Sequence, residues 1–365
     1  SMQNSKEVPM KFIHIADVHL GATPDSNMPW GEERAREIWS SFAHIINVCN
    51  KEEVDLLLIA GDLFHRQPLV RELKEVNYLF QKLRTSQVVI MAGNHDYISA
   101  RSNYQGFAWD SRVHMYYNGR IEIIDFPEFH TEVYGLSYLQ RDITEPLYDE
   151  IKPQKNEKIH ILLAHGGDEK NIPINKKKLQ QAGFDYIALG HIHKPEIISD
   201  TMAYSGSLEP LDKNETGERG YILGEITVTE EGERQTHIRY VPSAHRQYIR
   251  QTLMVNPETT NGSLQDQARE AIHRGGAQNI YLFCIQGNRD ESIQFDKVAL
   301  KSLGNVFEIV DKSVPDYDFD SIYRANADNI IGLFIQKIQE NAEHDEIAKM
   351  ALYYGIEALL EAQDQ

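Results

Sequence analysis

The chain has 365 residues, 41% hydrophobic and 25% charged, an ordinary globular composition that argues against wholesale disorder and leaves room for two or three domains. Its formal charge of −18 argues against a uniformly basic nucleic-acid binder, and no apolar stretch reaches the length of a membrane span. Two cysteines, Cys49 and Cys284, lie in unrelated segments with no CxxC, which argues against a disulfide framework or zinc ribbon and fits a reducing, cytoplasmic setting.

The opening SMQNSKEVP lacks a signal-peptide pattern, and Ser1 ahead of Met2 reads as a tag-removal scar, with the native start expected at Met2 or Met10. From Met10 to about Val241 strand and helix patterns alternate. Five short apolar runs each end in a metal-binding residue type. Lys11–Ala16 leads to Asp17 and His19; Leu56–Gly61 leads to Asp62; Val88–Gly93 leads to Asn94 and His95. Ile159–Ala164 leads to His165, and Tyr186–Gly190 leads to His191 and His193. Such runs read as buried strands, and ligand groups in open α/β sheets gather outside the carboxyl ends of strands.

Between them, Trp30–Glu52 has helical periodicity, with Ile38, Phe42, Ile45, Ile46 and Cys49 on one side. Pro68–Leu83 reads as a second helix with Pro68 in its first turn. Val113–Tyr116, Ile121–Phe126 and Val133–Tyr138 are short strands, as are Pro195–Ser199, Met202–Tyr204, Tyr221–Thr229 and Thr236–Val241. Asn214–Gly220 (NETGERG) is a polar turn-rich loop. The expected architecture for residues 10–241 is α/β, two sheets packed face to face with helices outside.

Residues 242–315 read as a compact α+β module: strands at Gln247–Val255, Asn279–Gln286 and Val306–Asp311, helices at Ser263–Arg274 and Asp296–Leu303. Residues 316–365 begin with an acidic linker, Pro315–Asp320, and continue as helices at Ala327–Asn341 and Glu346–Ala362. Ile331, Ile335, Ile338 and Ala342 fall at helical spacing in the first of these. This tail holds eleven acids and three bases, a net −8 of the total −18.

The strand-end residues offer carboxylate, imidazole and one amide oxygen but no thiolate, a set that suits hard or borderline divalent cations. Asp17 and His19 can reach one ion, Asp62 can bridge two, and Asn94 binds through a neutral oxygen. His191 and His193 can serve different ions. Seven ligands for two ions leave positions for water and substrate. Two ions about 3.5–4 Å apart clamp the attacking and leaving oxygens of a phosphoryl displacement and make hydroxide available near neutral pH. His95, directly after Asn94, is better placed as general acid or as a donor to phosphoryl oxygens, with Asp96 orienting it by a hydrogen bond.

As an ordered set, IHIADVHLG, GDLFHRQP, AGNHDY, AHGG, GHIHKP and YSGSLEP resemble the calcineurin-like metallophosphoesterase superfamily, and within it the SbcD branch of DNA-repair nucleases. The resemblance covers roughly residues 10–245, and the following module matches that branch's capping domain only in size and element order. It implies a centre of two divalent ions, Mn2+, hydrolysing DNA phosphodiesters as exonuclease or endonuclease. Carried over by motif, Asp17, His19, Asp62 and His193 bind one ion; Asp62, Asn94, His165 and His191 bind the other. His95 is then the catalytic histidine, and His65 a supporting or substrate-contacting one. The resemblance also implies an SbcC-type coiled-coil ATPase as partner, for which the terminal helices are the expected docking place, and a homodimer through Trp30–Glu52 or Pro68–Leu83. Val18 stands where many members of the branch have Trp, and no long basic tail follows the terminal helices.

Lys170 and Lys176, Lys177 and Lys178 form the densest basic run, close after His165, with Arg66, Arg71 and Lys74 after GDLFH. They are candidates to hold a DNA backbone, against the plainer reading of solvated side chains. Tyr97, Tyr104, Trp109, Tyr116 and Tyr117 are candidates to stack on unpaired bases, against packing in a core. Histidines outside the motifs, such as His14, His160 and His344, read as structural or exposed. Two rival functions keep or drop the chemistry. One is a phosphodiesterase for nucleotides or other small diesters, favoured by the acidic charge; the other is a non-catalytic scaffold, which places no demand on a full ligand set.

Overall fold

The computed structural model describes residues 9–342 and 345–363, so His344 lies outside the described residues. It divides into two compact units, one ending at Tyr248 and the other starting at Ile249.

In the first unit one sheet holds β1 (Met10–Ile15), β2 (Leu56–Ala60), β3 (Gln87–Met91), β4 (Val113–Met115), and the hairpin strands β11 (Gly220–Val228) and β12 (Arg234–Pro242). Its order is β12-β11-β1-β2-β3-β4, with β1 to β4 parallel and β11 antiparallel to β1. The second sheet holds β5 (Glu122–Phe126), β6 (Thr131–Gly135), β7 (Ile159–His165), β8 (Tyr186–Gly190), β9 (Glu196–Ser199) and β10 (Met202–Tyr204). Its order is β5-β6-β7-β8-β10-β9, with β6, β7, β8 and β10 parallel.

The two-residue repeat of the strands builds the sandwich. Leu56, Leu58 and Ala60 of β2 join Phe12, Val89, Met91, Ile161, Leu163, Tyr186 and Ala188 in the layer between the sheets. The alternate residues Leu57 and Ile59 face outward, onto Ile38, Phe42, Ile45 and Ile46 of α1 (Gly31–Glu52) and Leu73, Val76 and Phe80 of α2 (Val70–Phe80). Both faces of these parallel strands are covered, which is why they read as unbroken apolar runs.

Helix α2 starts two residues after Pro68, not at it. Glu72 accepts a hydrogen bond from Leu69 N at 2.8 Å and closes the first turn there, so a carboxylate reaching back sets the start rather than proline at the first helical position. A buried polar network ties α1 to the segment ahead of the second unit. Arg34 Nη1 lies 2.7 Å from Glu37 and 3.3 Å from Glu209, and Nη2 donates to Pro210 O. Ser41 Oγ and His245 N donate to the other oxygen of Glu209, at 2.6 and 2.7 Å. The side chains of Arg34 and Glu209 are both fully buried. Arg34→Ala takes the guanidinium from the buried Glu209, leaving it the half-exposed His245 at 3.0 Å, and should lower stability by about 3 kcal/mol. Urea unfolding checks it, and a loss under about 1 kcal/mol would mean that water replaces the guanidinium.

The second unit has β13 (Tyr248–Val255), β14 (Ile280–Arg289), β15 (Val306–Asp311) and the two-residue β16 (Val314–Pro315), with β14 central. Strand β13 begins in the first unit, where the Tyr248 hydroxyl donates to Asp25 at 2.8 Å. Helices α4 (Asn261–Gly275) and α5 (Lys297–Lys301) cover the sheet around Leu264, Ala268, Tyr281, Phe283 and Leu300. The segment expected as an acidic linker instead starts a helix, α6 (Phe319–Ala325), because the Asp318 carboxylate accepts from Ser321 N at 3.0 Å and caps it. Helices α7 (Ile330–Ala342) and α8 (Glu346–Gln363) then pair through Ile331, Ile335, Leu352 and Ile356. No helix among the described residues is long and apolar enough to cross a membrane.

Candidate metal centre

The carboxyl ends of β1, β2, β3, β7 and β8 open onto one edge of the sandwich. The loops after β1 and β2 run side by side: Asp17 N donates to Gly61 O and His19 N to Asp62 O, at 3.1 and 3.0 Å. The two sheets are joined by His191 N, which donates to Asp17 Oδ2 at 2.9 Å. Asp17, His19, Asp62 and His191 all have left-handed backbones, with φ of 50°, 53°, 52° and 94°. Each such non-glycine residue costs about 1–3 kcal/mol, strain that clusters at functional sites. A Cβ on Gly93 would overlap Asp62 Oδ1 and come within 2.7 Å of His165 Nε2, so the turn after β3 requires glycine.

The side-chain atoms of the seven expected ligands converge. Around Asp62 Oδ2 stand His19 Nε2 at 3.7 Å and His165 Nε2 at 3.5 Å. Asp17 Oδ1 lies 4.0 Å from both His19 Nε2 and His193 Nε2, which are themselves 3.1 Å apart. Asn94 Oδ1 lies 3.0 Å from His165 Nε2 and 3.1 Å from His191 Nδ1. Two donor sets result, Asp17/His19/His193 and Asn94/His165/His191, with Asp62 between them. Asp62 Oδ1 is taken by His95 N at 2.9 Å, which leaves Oδ2 for the sets.

These atoms fit divalent cations. Asp17 and Asp62 are buried, yet among the described residues neither has a Lys or Arg within 4.0 Å; their ion-pair partners are histidines. Buried carboxylates need compensating charge, and imidazole lone pairs facing one another at hydrogen-bond distance are satisfied together by a cation. Burial opposes charge on His165, but Asp62 beside it raises the imidazole to about 9. Burial also pushes Asp62 up, and His165 more than reverses that, so Asp62 is held below the ordinary carboxylate range.

His95 lies beside the two sets. Its Nδ1 donates to His65 O at 3.1 Å, a carbonyl that can only accept, so Nε2 is the unprotonated nitrogen of the neutral ring and has no protein partner among the described residues. The ring stacks on His65 with centroids 5.3 Å apart and meets His19 edge-on at 4.9 Å. His65 Nδ1 is 3.2 Å from His19 Nδ1, so His65 braces His19 from the side away from His193.

Asp96 does not orient His95. Its Oδ1 accepts from Gly93 N at 2.8 Å, and its Oδ2 accepts from Phe64 N at 3.2 Å and the Tyr104 hydroxyl at 2.7 Å. Neighbouring side chains on this turn diverge, and Asp96 points into the core, where it holds the turn itself. Burial, with Asp62 nearby, pushes its carboxyl up to about 7.

Three of the seven basic candidates have acidic partners. Lys176, at the start of the short α3 (Lys176–Gln180), lies 3.1 Å from Glu196, and Lys178 lies 2.7 Å from Glu150. Arg66 lies 2.8 Å from Glu72; Lys177 is exposed. Tyr104 and Tyr116 are fully buried and closed to bases, Trp109 packs on Phe80, Tyr104 and Phe107, and Tyr117 is exposed. Two acids escaped the sequence reading. Asp168 Oδ2 is 2.6 Å from His191 Nε2, and Glu215 Oε1 is 2.6 Å from His193 Nδ1. Both sit in irregular loops, where no periodicity marks a residue.

A two-sheet sandwich with this edge of Asp, Asn and His defines a metallophosphoesterase, a class of hydrolases acting on phosphoester bonds. Residues 10–195 match the family model for calcineurin-like phosphoesterases, and the chain belongs to that family. It is 30% identical over 239 residues to an uncharacterised metallophosphoesterase, YhaO, of Bacillus subtilis, covering 60% of this chain and 58% of that one. It is 32% identical over 218 residues to the DNA double-strand break repair protein Mre11 of Methanocaldococcus jannaschii, covering 56% and 58%. Against the Mre11 of Aeropyrum pernix it is 28% identical over 242 residues, covering 58% and 57%. The chain thus spans under two thirds of the length of these relatives.

Proposed function

We propose that this chain is a DNA nuclease that hydrolyses phosphodiester bonds with two divalent cations, Mn2+, in DNA repair and in the cytoplasm. The observation that carries the reading is the pair of donor sets sharing Asp62 Oδ2, with His95 Nε2 open beside them. The names of the archaeal relatives, DNA double-strand break repair proteins, support DNA as substrate.

Asp17, His19, Asp62 and His193 would hold one ion, and Asp62, Asn94, His165 and His191 the other. Bound there, the ions supply positive charge to phosphoryl oxygens and make hydroxide available near neutral pH. Asp62 Oδ1, fixed by His95 N, keeps its other oxygen aimed between the sets. His95, with Nδ1–H on the His65 carbonyl, takes up a proton from solvent at Nε2, and in that protonated form Nε2–H gives its proton to the leaving 3′-oxygen or donates a hydrogen bond to a phosphoryl oxygen. His65 keeps the His19 ring in place.

An SbcC-type coiled-coil ATPase is the proposed partner. Within the second unit α7 and α8 leave Ile330, Leu333, Ile347, Met350 and Tyr354 exposed, which suits docking in a groove. A homodimer through α2 is proposed on its exposed Val70 and Tyr78 and the adjoining Leu69.

The carboxylates on Lys176, Lys178 and Arg66 favour a second reading, a phosphodiesterase for nucleotides or other small diesters. Digestion of labelled linear and hairpin DNA with Mn2+, with and without the ATPase, is compared with turnover of bis-p-nitrophenyl phosphate and cyclic nucleotides. Metal-dependent cutting of DNA is expected. Inert DNA beside rapidly cleaved small diesters selects the second reading, and inertness toward every diester leaves a scaffold.

A further inference from the structure

We propose that Glu215 and Asp168 are positioning residues of the cation centre, each locking one imidazole of the Gly190-His191-Ile192-His193 segment with the correct nitrogen facing inward. The inference rests on the two-cation reading above and concerns residues outside both donor sets.

The two imidazoles follow β8 on a loop and are partly exposed, His191 at 14% and His193 at 27% of their side-chain surface. A histidine so placed can present either nitrogen and turn about its side-chain bonds. For His191, Nδ1 faces Asn94 Oδ1 at 3.1 Å while Nε2 lies 2.6 Å from Asp168 Oδ2. For His193 the nitrogens are exchanged: Nε2 faces His19 Nε2 at 3.1 Å while Nδ1 lies 2.6 Å from Glu215 Oε1. An ionised carboxylate only accepts, so in each ring the outer nitrogen carries the proton and the inner one keeps its lone pair.

Both carboxylates are themselves anchored by their second oxygen. Glu215 Oε2 accepts from Leu211 N at 2.8 Å. Asp168 Oδ1 accepts from Lys170 N and Asn171 N, both at 2.8 Å. The buried His165 has a different arrangement, with Nδ1 donating to the neutral Ala60 carbonyl at 2.8 Å. Inside the core a carbonyl is enough to fix a ring. On the exposed loop, water competes for the same N–H, and the charge-assisted bond is the one that persists. A carboxylate also makes the opposite nitrogen a stronger donor to a cation. Glu215 therefore serves the set of Asp17 and His19, and Asp168 the set of Asn94 and His165.

Mn2+ titration of the full chain by calorimetry tests this, with thermal melts confirming that each variant is folded. Wild type should bind two ions. Glu215→Ala should weaken one by about 10–100-fold and Asp168→Ala the other by a similar factor. Glu215→Gln, which keeps an acceptor for Nδ1–H, should recover most of the loss. In a His193→Ala background Glu215→Ala should add nothing, because its effect passes through that ring. Glu150→Gln, an exposed carboxylate paired with Lys178, is the unchanged control. A Glu215→Ala isotherm equal to wild type overturns the proposal, as does a Glu215→Gln variant as weak as Glu215→Ala. Wild-type protein that binds no Mn2+ overturns the two-cation reading and this inference with it.

Discussion

His95→Ala should keep both bound Mn2+ ions and lose about 10²–10⁴-fold in turnover of DNA. The side chain can be removed without breaking a hydrogen bond to the proposed cation ligands, because its ring only meets His19 edge-on and the bond to Asp62 comes from the backbone. His95 N donates to Asp62 Oδ1 at 2.9 Å, and alanine retains that N–H. What disappears is the imidazole with Nδ1 on the His65 carbonyl and Nε2 without a hydrogen-bond partner among the described residues. The size of the loss should depend on the leaving group. The 3′-oxygen of a nucleotide leaves as a strong base and needs a proton, whereas p-nitrophenolate leaves without one. If His95 is the general acid, the variant loses far more on DNA than on bis-p-nitrophenyl phosphate. If His95 steadies phosphoryl oxygens, the two losses match. Calorimetric titration with Mn2+ alongside the kinetics decides the assignment, and a parallel loss of metal would refute it.

The convergence of the seven strand-end residues could be read from the sequence because a single rule places them. A parallel strand buried on both faces reads as an unbroken apolar run, and its carboxyl end is where the chain leaves the core. Leu56–Ala60, Tyr186–Gly190 and their counterparts were therefore visible as strands, and the polar residue after each as edge residues. Asp96 was misread because adjacency in sequence says nothing about direction. It turns inward to Gly93 N, Phe64 N and Tyr104, contacts fixed by the curl of the turn and by a tyrosine eight positions on. Asp168 and Glu215 were out of reach for a related reason: each sits on a loop and meets its histidine across more than twenty residues, with α3 and β8 between for Asp168 and β9 and β10 between for Glu215. The Arg34–Glu209 pair spans 175 positions and links a helix to a loop, a contact no local pattern encodes. The start of α2 moved, and α6 stood where a linker was expected, because side-chain contacts of Glu72 and Asp318 decide helix starts more finely than periodicity does.

Asp62→Asn should cost both cations rather than one, and with them at least about 10³-fold in activity, the several kcal/mol that metal charge contributes to phosphoryl transfer. The substitution keeps the shape of the side chain and reverses the chemistry at its free end. The introduced amide would keep its carbonyl on His95 N, the bond that Asp62 Oδ1 makes at 2.9 Å. Its NH2 would then occupy the place of Oδ2, within about 3.7 Å of His19 Nε2 and 3.5 Å of His165 Nε2. Two hydrogen-bond donors would point where both ions need an acceptor. Asp17→Asn is the contrast: Asp17 Oδ1 lies 4.0 Å from His19 and His193, the two-cation reading assigns it to that set, and its loss should spare the ion held by Asn94, His165 and His191. Mn2+ stoichiometry separates the two variants, and a tightly bound ion remaining in Asp62→Asn would show that the carboxylate is not shared. The metal-free proteins should differ as well. Against burial, Asp62 raises His165 to about 9, above its unfolded value near 6.5. A raised folded value means that the native state binds more protons between those limits, so the stabilisation is complete below pH 6.5 and fades as pH rises through 9. Chelator-treated wild type should therefore melt at progressively lower temperature over that window. Asp62→Asn, with no anion to hold the proton, should show a flatter profile across it.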